Sequence, residues 1–258
     1  DKPLRQVVLD FNLFMLVLAS ASSIAAGYII NNFYDSEKDL INRPNKSMLD
    51  RLVSQNTKLS FYFVLNFLAV IMASYVSFNA VVFFSAYIFG IWFYSHKLKK
   101  LPFIGNLTSA ILAITPFFAI FIYYGNFEHV IFVHAMFLFL IVSMRELTKD
   151  LENIKGDLAQ NYQTIPIVYG ERVSKLMLTV LALLTWVPTI LLVSYFNVGY
   201  MNYFFYLSAL LLLVFILFLW KSRTKTHYLI LHNILKLIIV AGVFCIVLID
   251  VNVVLNRI

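Results

Sequence analysis

Eight runs of about 20 mainly apolar residues dominate this chain, near 8–30, 58–77, 79–95, 104–124, 129–147, 173–195, 201–220 and 229–255. Segments this long and apolar satisfy their own backbone hydrogen bonds only as helices, because lipid offers no partner for a bare N–H or C=O. Strands of a membrane barrel would be shorter and would alternate apolar with polar residues, and these runs do not. Composition agrees: 61% of the 258 residues are hydrophobic, 13% are charged and mean hydropathy is +0.84, whereas soluble domains carry roughly 25% charged residues. The expected fold is an all-α, multi-pass membrane protein, a bundle of eight transmembrane helices forming one domain over 1–258. Pro116 and Pro188 fall inside apolar runs and predict kinks that neighbouring helices repair.

The basic residues set the expected topology. If the helices alternate, sixteen of the 20 lysines and arginines fall on one side: Lys38, Arg43, Lys46, Arg51, Lys58, Lys97, Lys99, Lys100, Arg145, Lys149, Lys155, Arg172, Lys175, Lys221, Arg223 and Lys225. The other side receives Lys2, Arg5 and Arg257, and Lys236 lies within the last run. Lys and Arg accumulate in cytoplasmic loops, so the first side is predicted to face the cytoplasm. The formal net charge of +7 then reads as topology and contact with anionic membrane lipid, with no nucleic-acid partner. The longest polar connections, 31–57 and 148–172, lie on this side too, which places function there. Asp1 would lie on the opposite face, without an initiator Met or a secretory leader, so one further helix is expected before residue 1. The one cysteine, Cys245, lies in an apolar run and makes no intrachain disulfide.

Nine of the 13 acidic residues gather in or just beyond two clusters on that basic side: Asp35, Glu37, Asp39 and Asp50 in one, Glu146, Asp150, Glu152, Asp157 and Glu171 in the other. Asn31, Asp35 and Asp39 recur at i, i+4 and i+8, so a first helix continued past Ile30 aligns them on one face. Glu146, Asp150, Asn153 and Asp157 recur at i, i+4, i+7 and i+11, which gives a second face on the fifth helix. Mg²⁺ takes oxygen ligands and is typically held by one or two carboxylates plus substrate phosphate oxygens. Two sparse carboxylate faces therefore suit a bridged diphosphate. The alternative is that these carboxylates are solvated charges paired with Lys38, Arg43, Lys149 or Lys155, each pair contributing only about 0.2–0.5 kcal/mol. Zinc is disfavoured, since His96, His129, His134, His227 and His232 are scattered.

The first cluster, Asn31-Asn32-Phe33-Tyr34-Asp35-Ser36-Glu37-Lys38-Asp39 with Asn42-Arg43-Pro44, resembles the N-D-x-x-D-x-x-x-D signature and trailing N-R-P of the UbiA superfamily of intramembrane prenyltransferases. The second, Arg145-Glu146 through Lys149-Asp150-Leu151-Glu152-Asn153-Ile154-Lys155-Gly156-Asp157, then Thr164-Ile165-Pro166 and Gly170, is similar to that family's second aspartate motif. Between them, Tyr94-Ser95-His96-Lys97-Leu98-Lys99-Lys100-Leu101-Pro102 with Gly105-Asn106 resembles its central cytoplasmic loop. Three ordered motifs spanning nearly the whole chain make the resemblance specific. Two departures stand out: Asn32 replaces an aspartate common in the first motif, and Asn153 replaces the leading aspartate of the second.

The resemblance implies nine helices in the complete protein, the first of them preceding this sequence, around a cavity open toward the cytoplasm. It implies a polyprenyl diphosphate donor, a lipophilic acceptor, and Mg²⁺. Asn31, Asp35 and Asp39 would bind one ion, and Asn153 and Asp157, assisted by Asp150, the other, with Asp35, Asp39 and Asp157 essential to catalysis. Arg43, Lys97, Lys99, Arg145 and Lys149 would contact the diphosphate, since cations aimed at developing negative charge favour the transition state. Tyr28, Phe33, Tyr34, Tyr94 and Tyr169 are placed to shield an allylic carbocation but serve equally as packing or interface aromatics. The first motif lies closest to the branch that alkylates geranylgeranylglyceryl phosphate; quinone-precursor, haem and chlorophyll branches are alternatives. The expected location is the cell membrane of a bacterium or archaeon, with the active site facing the cytoplasm. A non-catalytic relative that binds prenyl diphosphate or lipid is the rival reading, motivated by Asn32 and Asn153. A transporter would need acidic residues near helix centres, and Asp10 and Asp250 lie near helix ends.

Overall fold

The computed structural model describes residues 9–196 and 198–249. Lys2, Arg5, Asp250 and Arg257, which entered the charge and helix-end arguments, lie outside the described residues. Helices run over Phe11–Asn42 (α1), Pro44–Asp50 (α2), Gln55–Val76 (α3), Phe78–His96 (α4), Ile104–Tyr124 (α5), His129–Ala159 (α6), Ile165–Leu184 (α7), Trp186–Ser194 (α8), Asn202–Lys221 (α9) and Lys225–Cys245 (α10). Among the described residues there are eight spans long and apolar enough to cross a membrane, α7 and α8 together making one of them. Two spans exceed their apolar runs: α1 continues from Ile30 to Asn42, and α6 from Leu147 to Ala159. Pro188 lies just past the break between α7 and α8, whereas Pro116 sits inside an α5 that runs unbroken.

Side-chain caps mark several helix starts. Asp10 Oδ1 accepts the N–H groups of Asn12 and Leu13 at 3.1 and 3.2 Å, and Ser54 and Ser77 accept those of Thr57 and Ala80 at 3.1 Å. Each satisfies amides that lipid could not. Asp10 has a second task, because the Tyr123 hydroxyl at the end of α5 donates to both its oxygens at 3.0 Å. That acid is a structural cap and not an intramembrane ion site.

The described residues form two compact units, one running through Asn126 and including Lys155–Gln163, the other comprising Phe127–Ile154 and the chain from Thr164 on. In the first unit α1 packs along α3 and α4. The middle of its buried stripe is small, with Ala19, Ser23 and Ala26 between Leu16 and Ile30, and Ala69 and Ala73 are buried on α3. Lipid tails are as apolar as leucine, so burial alone does not drive these helices together, and close approach through small side chains supplies the contact energy. Past Ile30 the buried positions of α1 become Asp35, Lys38 and Asn42.

The end of α6 docks here through Gly156, whose N–H lies 3.1 Å from Asn42 Oδ1. A Cβ at Gly156 would sit 2.7 Å from Asn42 Cγ, so glycine permits the approach. The chain then turns at Asn161, with φ of 54°, and Gln163 N–H donates to the Lys100 carbonyl at 2.8 Å.

In the second unit Phe137, Ile141, Met144, Leu147 and Leu151 recur along α6 at helical spacing and pack into a core with Leu178, Phe205, Leu212 and Leu231. Gly170, at φ 84° and ψ 168°, breaks α7 after its first turns, a conformation closed to side chains with a Cβ.

Candidate functional site

The C-terminal extension of α1, the 3₁₀ turn Leu98–Lys100 after α4, and the end of α6 bring three sequence-distant segments to one place in the first unit. Asp35 Oδ1 is the hub. Lys99 Nζ lies 2.8 Å from it, Lys38 Nζ 3.3 Å, and the Tyr162 hydroxyl donates to it at 3.3 Å. Lys38 Nζ also reaches Asp157 Oδ1 at 3.2 Å, and Lys99 Nζ donates to Asn31 Oδ1 at 3.3 Å. Asp35, Lys38, Lys99 and Asp157 are 7%, 9%, 8% and 1% exposed. Charges this enclosed persist only when paired, because water no longer solvates them. Asp35 of the first motif and Asp157 of the second thus share one ammonium group.

Aromatic rings frame the cluster. Lys38 Nζ sits 4.7 Å from the centroid of Tyr162 and Lys100 Nζ 5.4 Å from it, while Lys99 Nζ lies 5.9 Å from the ring of Tyr34. Tyr34 packs on His96, which stacks on Trp92 with centroids 5.5 Å apart. Burial, and next the Asp35 carboxylate, pushes the Tyr162 phenol well above its usual pKa, so it stays a neutral donor to Asp35. An open apolar groove of about 800 Å³ lies between α3 and α4, lined by Ile30, Phe33 and Tyr34 of α1 together with Phe63, Phe67, Phe89 and Trp92.

Asn31, Asp35, Lys99 and Asp157 are therefore brought together. Asp39 lies one turn beyond Asp35 and is partly buried; Arg43 caps the end of α1, its N–H 2.7 Å from the Asp39 carbonyl. Lys97 is exposed on the turn before Lys99. In the second unit Arg145 donates to Glu146 at 2.7 Å and Lys149 pairs with the same carboxylate. Asn153 is buried and Asp150 partly so, one and two turns before Asp157 on α6. Asn32 stands apart from the cluster: its amide donates to Asp50 at 3.0 Å and accepts from Lys58 at 3.0 Å. An aspartate there would oppose Asp50, so the asparagine suits a structural contact.

Sequence reasoning offered Lys38 only as the partner of solvated carboxylates, whereas the pair it forms with Asp35 is buried; it missed Tyr162, which carried no signal. It also missed two polar sets in the second unit. His232 Nδ1 lies 3.0 Å from Glu152 Oε2, both residues buried. Lys175 bonds Glu171 at 2.7 Å and the Ser222 carbonyl at 2.5 Å, and Tyr228 donates to Glu171 at 2.7 Å. The latter set ties α7 to the loop between α9 and α10.

Among the described residues no three His, Cys, Asp or Glu side chains converge on one point. What converges is two carboxylates and an amide oxygen, each facing an ammonium group at 2.8–3.3 Å. An all-oxygen set held around cationic stand-ins fits a hard divalent ion that takes its remaining ligands from water and phosphate.

The UbiA prenyltransferase family profile matches residues 5–248. A digeranylgeranylglyceryl phosphate synthase of Methanobrevibacter smithii is 30% identical over 205 residues, covering 74% of this chain and 71% of that protein. One from Thermococcus sibiricus is 40% identical over 146 residues, covering 56% of this chain and 51% of the relative, about half its length. The structure of a UbiA homologue from Archaeoglobus fulgidus bound to GPP and Mg²⁺ matches with a TM-score of 0.67 at 14% identity, over 92% of this chain and 88% of that one. Helical architecture, ordered motifs and a profile match over nearly the full length agree: this chain is a multi-pass integral membrane protein of the UbiA prenyltransferase family.

Proposed function

We propose that this chain catalyses Mg²⁺-dependent transfer of a prenyl group from a polyprenyl diphosphate to a lipophilic acceptor, with geranylgeranylglyceryl phosphate as the acceptor. The observation that carries this reading is the meeting of Asp35 and Asp157, 122 positions apart, on the ammonium of Lys38 within a buried cluster. Asn31, Asp35 and Asp39 form one oxygen face; Asp157, with Asn153 and Asp150 on the preceding turns of its helix, offers the second. Bound Mg²⁺ supplies Lewis-acid neutralisation of the departing diphosphate. Lys99, which faces Asp35 and Asn31 from the turn after α4, is a candidate contact for the diphosphate, as are Arg43, Lys97, Arg145 and Lys149. Tyr162 holds the Asp35 carboxylate by a neutral hydrogen bond. The groove beginning at Tyr34 is apolar and large enough for a prenyl tail. The acceptor assignment rests on the first motif and on the named activity of the Methanobrevibacter and Thermococcus relatives. The lysine-rich motif side faces the cytoplasm by the charge bias.

Protein in lipid nanodiscs, given labelled geranylgeranyl diphosphate and geranylgeranylglyceryl phosphate, is expected to release diphosphate and form an ether lipid only with Mg²⁺. Asp35→Ala and Asp157→Ala should each lower the rate by about 10³-fold or more, the scale of losing electrostatic stabilisation of a leaving group. Tight binding of the diphosphate with no turnover of any donor and acceptor would instead favour the non-catalytic reading.

A further inference from the structure

The last span carries a lysine at the middle of its apolar run. Lys236 is residue 12 of the 21 in α10, about 16 Å along the axis from the helix start, too deep for its ammonium to snorkel to the membrane surface. The residue is nonetheless exposed, as is Asn233 three positions earlier on the same stripe. A charge at this depth costs about 2.5–3.5 kcal/mol on insertion scales, so such residues face a bundle interior or a polar cavity and not lipid. The stripe adjoins α6: His232, one turn before Lys236, lies 3.0 Å from Glu152 Oε2 through Nδ1. Arg145 precedes Glu152 by seven positions on one face of α6, and both Arg145 and Lys236 lie within electrostatic reach of the His232 ring. Since α6 ends and α10 begins on the basic side, the two cations lie on the same, deeper side of the Glu152–His232 pair. Along the two axes Arg145 stands about 10 Å from it and Lys236 about 6 Å. The Arg145 side chain keeps 28% of its surface exposed.

We propose that Lys236 and Arg145 form an anion site within the second unit that takes the phosphate monoester of the acceptor lipid; this rests on the function proposed above and moves Arg145 from the donor's diphosphate to the acceptor. The guanidinium is a planar fork suited to phosphate oxygens, and one nitrogen, Nη1, is engaged by Glu146 at 2.7 Å. Lys236 adds a point charge from the facing helix. A second observation points to a glycerol headgroup. With its Nδ1–H given to the Glu152 carboxylate, His232 carries a lone pair on Nε2, and this buried nitrogen has no hydrogen-bond partner. Leaving such a group unpaired costs about 1–3 kcal/mol. The hydroxyl of a glycerol phosphate is a donor that satisfies it while the phosphate meets the two cations. Asn153, on the second oxygen face, stands about 12 Å from Arg145 along α6, which leaves room for the glycerol between the acceptor's phosphate and that face. A neutral aromatic acceptor has no use for two cations at this depth.

The test compares two acceptors. Protein in nanodiscs, saturated with geranylgeranyl diphosphate and Mg²⁺, is assayed with geranylgeranylglyceryl phosphate and with the same alcohol lacking its phosphate. Wild type is expected to favour the phosphate by about 30-fold or more in kcat/KM, the scale of losing a buried charge contact. Lys236→Met should raise KM for the phosphate acceptor by a similar factor, leave KM for geranylgeranyl diphosphate unchanged and erase the preference, whereas Lys236→Arg should keep it. If Lys236→Met does not fold, Lys236→Gln makes the same comparison. A lysine with a structural role alone would, when replaced, lower turnover of both acceptors alike, and that result would overturn the inference. So would a wild type indifferent to the phosphate, or one that alkylates only an aromatic acceptor. Those outcomes leave prenyl transfer standing. Diphosphate release with none of these acceptors would remove the proposed function and this inference with it.

Discussion

Tyr162 is a small addition to a charged cluster, but its protonation has a measurable consequence. The phenol is held neutral in the folded chain above the pH where an unfolded tyrosine ionises. Below the ordinary tyrosine pKa of about 10 both states are protonated and the stabilisation is fully present. Above it the unfolded chain releases a proton that the folded chain keeps, so stability falls as pH rises. Thermal midpoints in detergent between about pH 9 and 11 should therefore fall less steeply for Tyr162→Phe than for wild type. At neutral pH the same substitution removes one hydrogen bond to a carboxylate and should cost about 1.5–3 kcal/mol of stability, read as a lower midpoint. An unchanged slope and midpoint would show that the phenol does not hold Asp35.

At the scale of elements, the helix extensions matter more than the spans. Continuing α1 past Ile30 carries Asn31, Asp35 and Lys38 out of the apolar stretch while keeping them on rigid backbone, and continuing α6 does the same for Asp157. The joint between them is Gly156 against Asn42. Gly156→Ala drives a methyl into the Asn42 amide and should destabilise the protein by about 1–3 kcal/mol, the usual cost of overpacking. Adding Asn42→Ala should restore most of that loss, because the pair shares one space. A thermal-shift comparison of the two single variants and the double variant decides it, and additive losses would place the strain elsewhere. The spans and the helix extensions that carry the acidic residues were legible in the sequence because apolar run length and i, i+4 spacing are local properties. The burial of Lys38 was not, since a solvated partner for nearby carboxylates is what its spacing offers, and its contact with Asp157 depends on a segment more than a hundred positions away. Tyr162 was illegible for the same reason, being one of 15 tyrosines with no spacing to single it out. Glu152 and His232 each looked unremarkable until α6 and α10 placed them 3.0 Å apart.

For the whole molecule, the testable property is the side of the membrane on which the motifs lie. With Cys245 replaced by serine, a single cysteine at exposed Met48 should react with a membrane-impermeant maleimide only from the cytoplasmic side. A cysteine at exposed Phe78, the first residue of α4, should react only from the other side. Labelling with the two sides exchanged would reverse the orientation drawn from the lysines. The docking of Lys155–Gln163 onto α1 also sets an order of events during synthesis. Asp35, Lys38 and Lys99 leave the ribosome well before Asp157 and Tyr162, so the cluster exists first as a half-built set with one carboxylate facing two lysines. Its last partners arrive only when α6 has been made, so the cluster is completed late, after the helices that hold its first half are already in place.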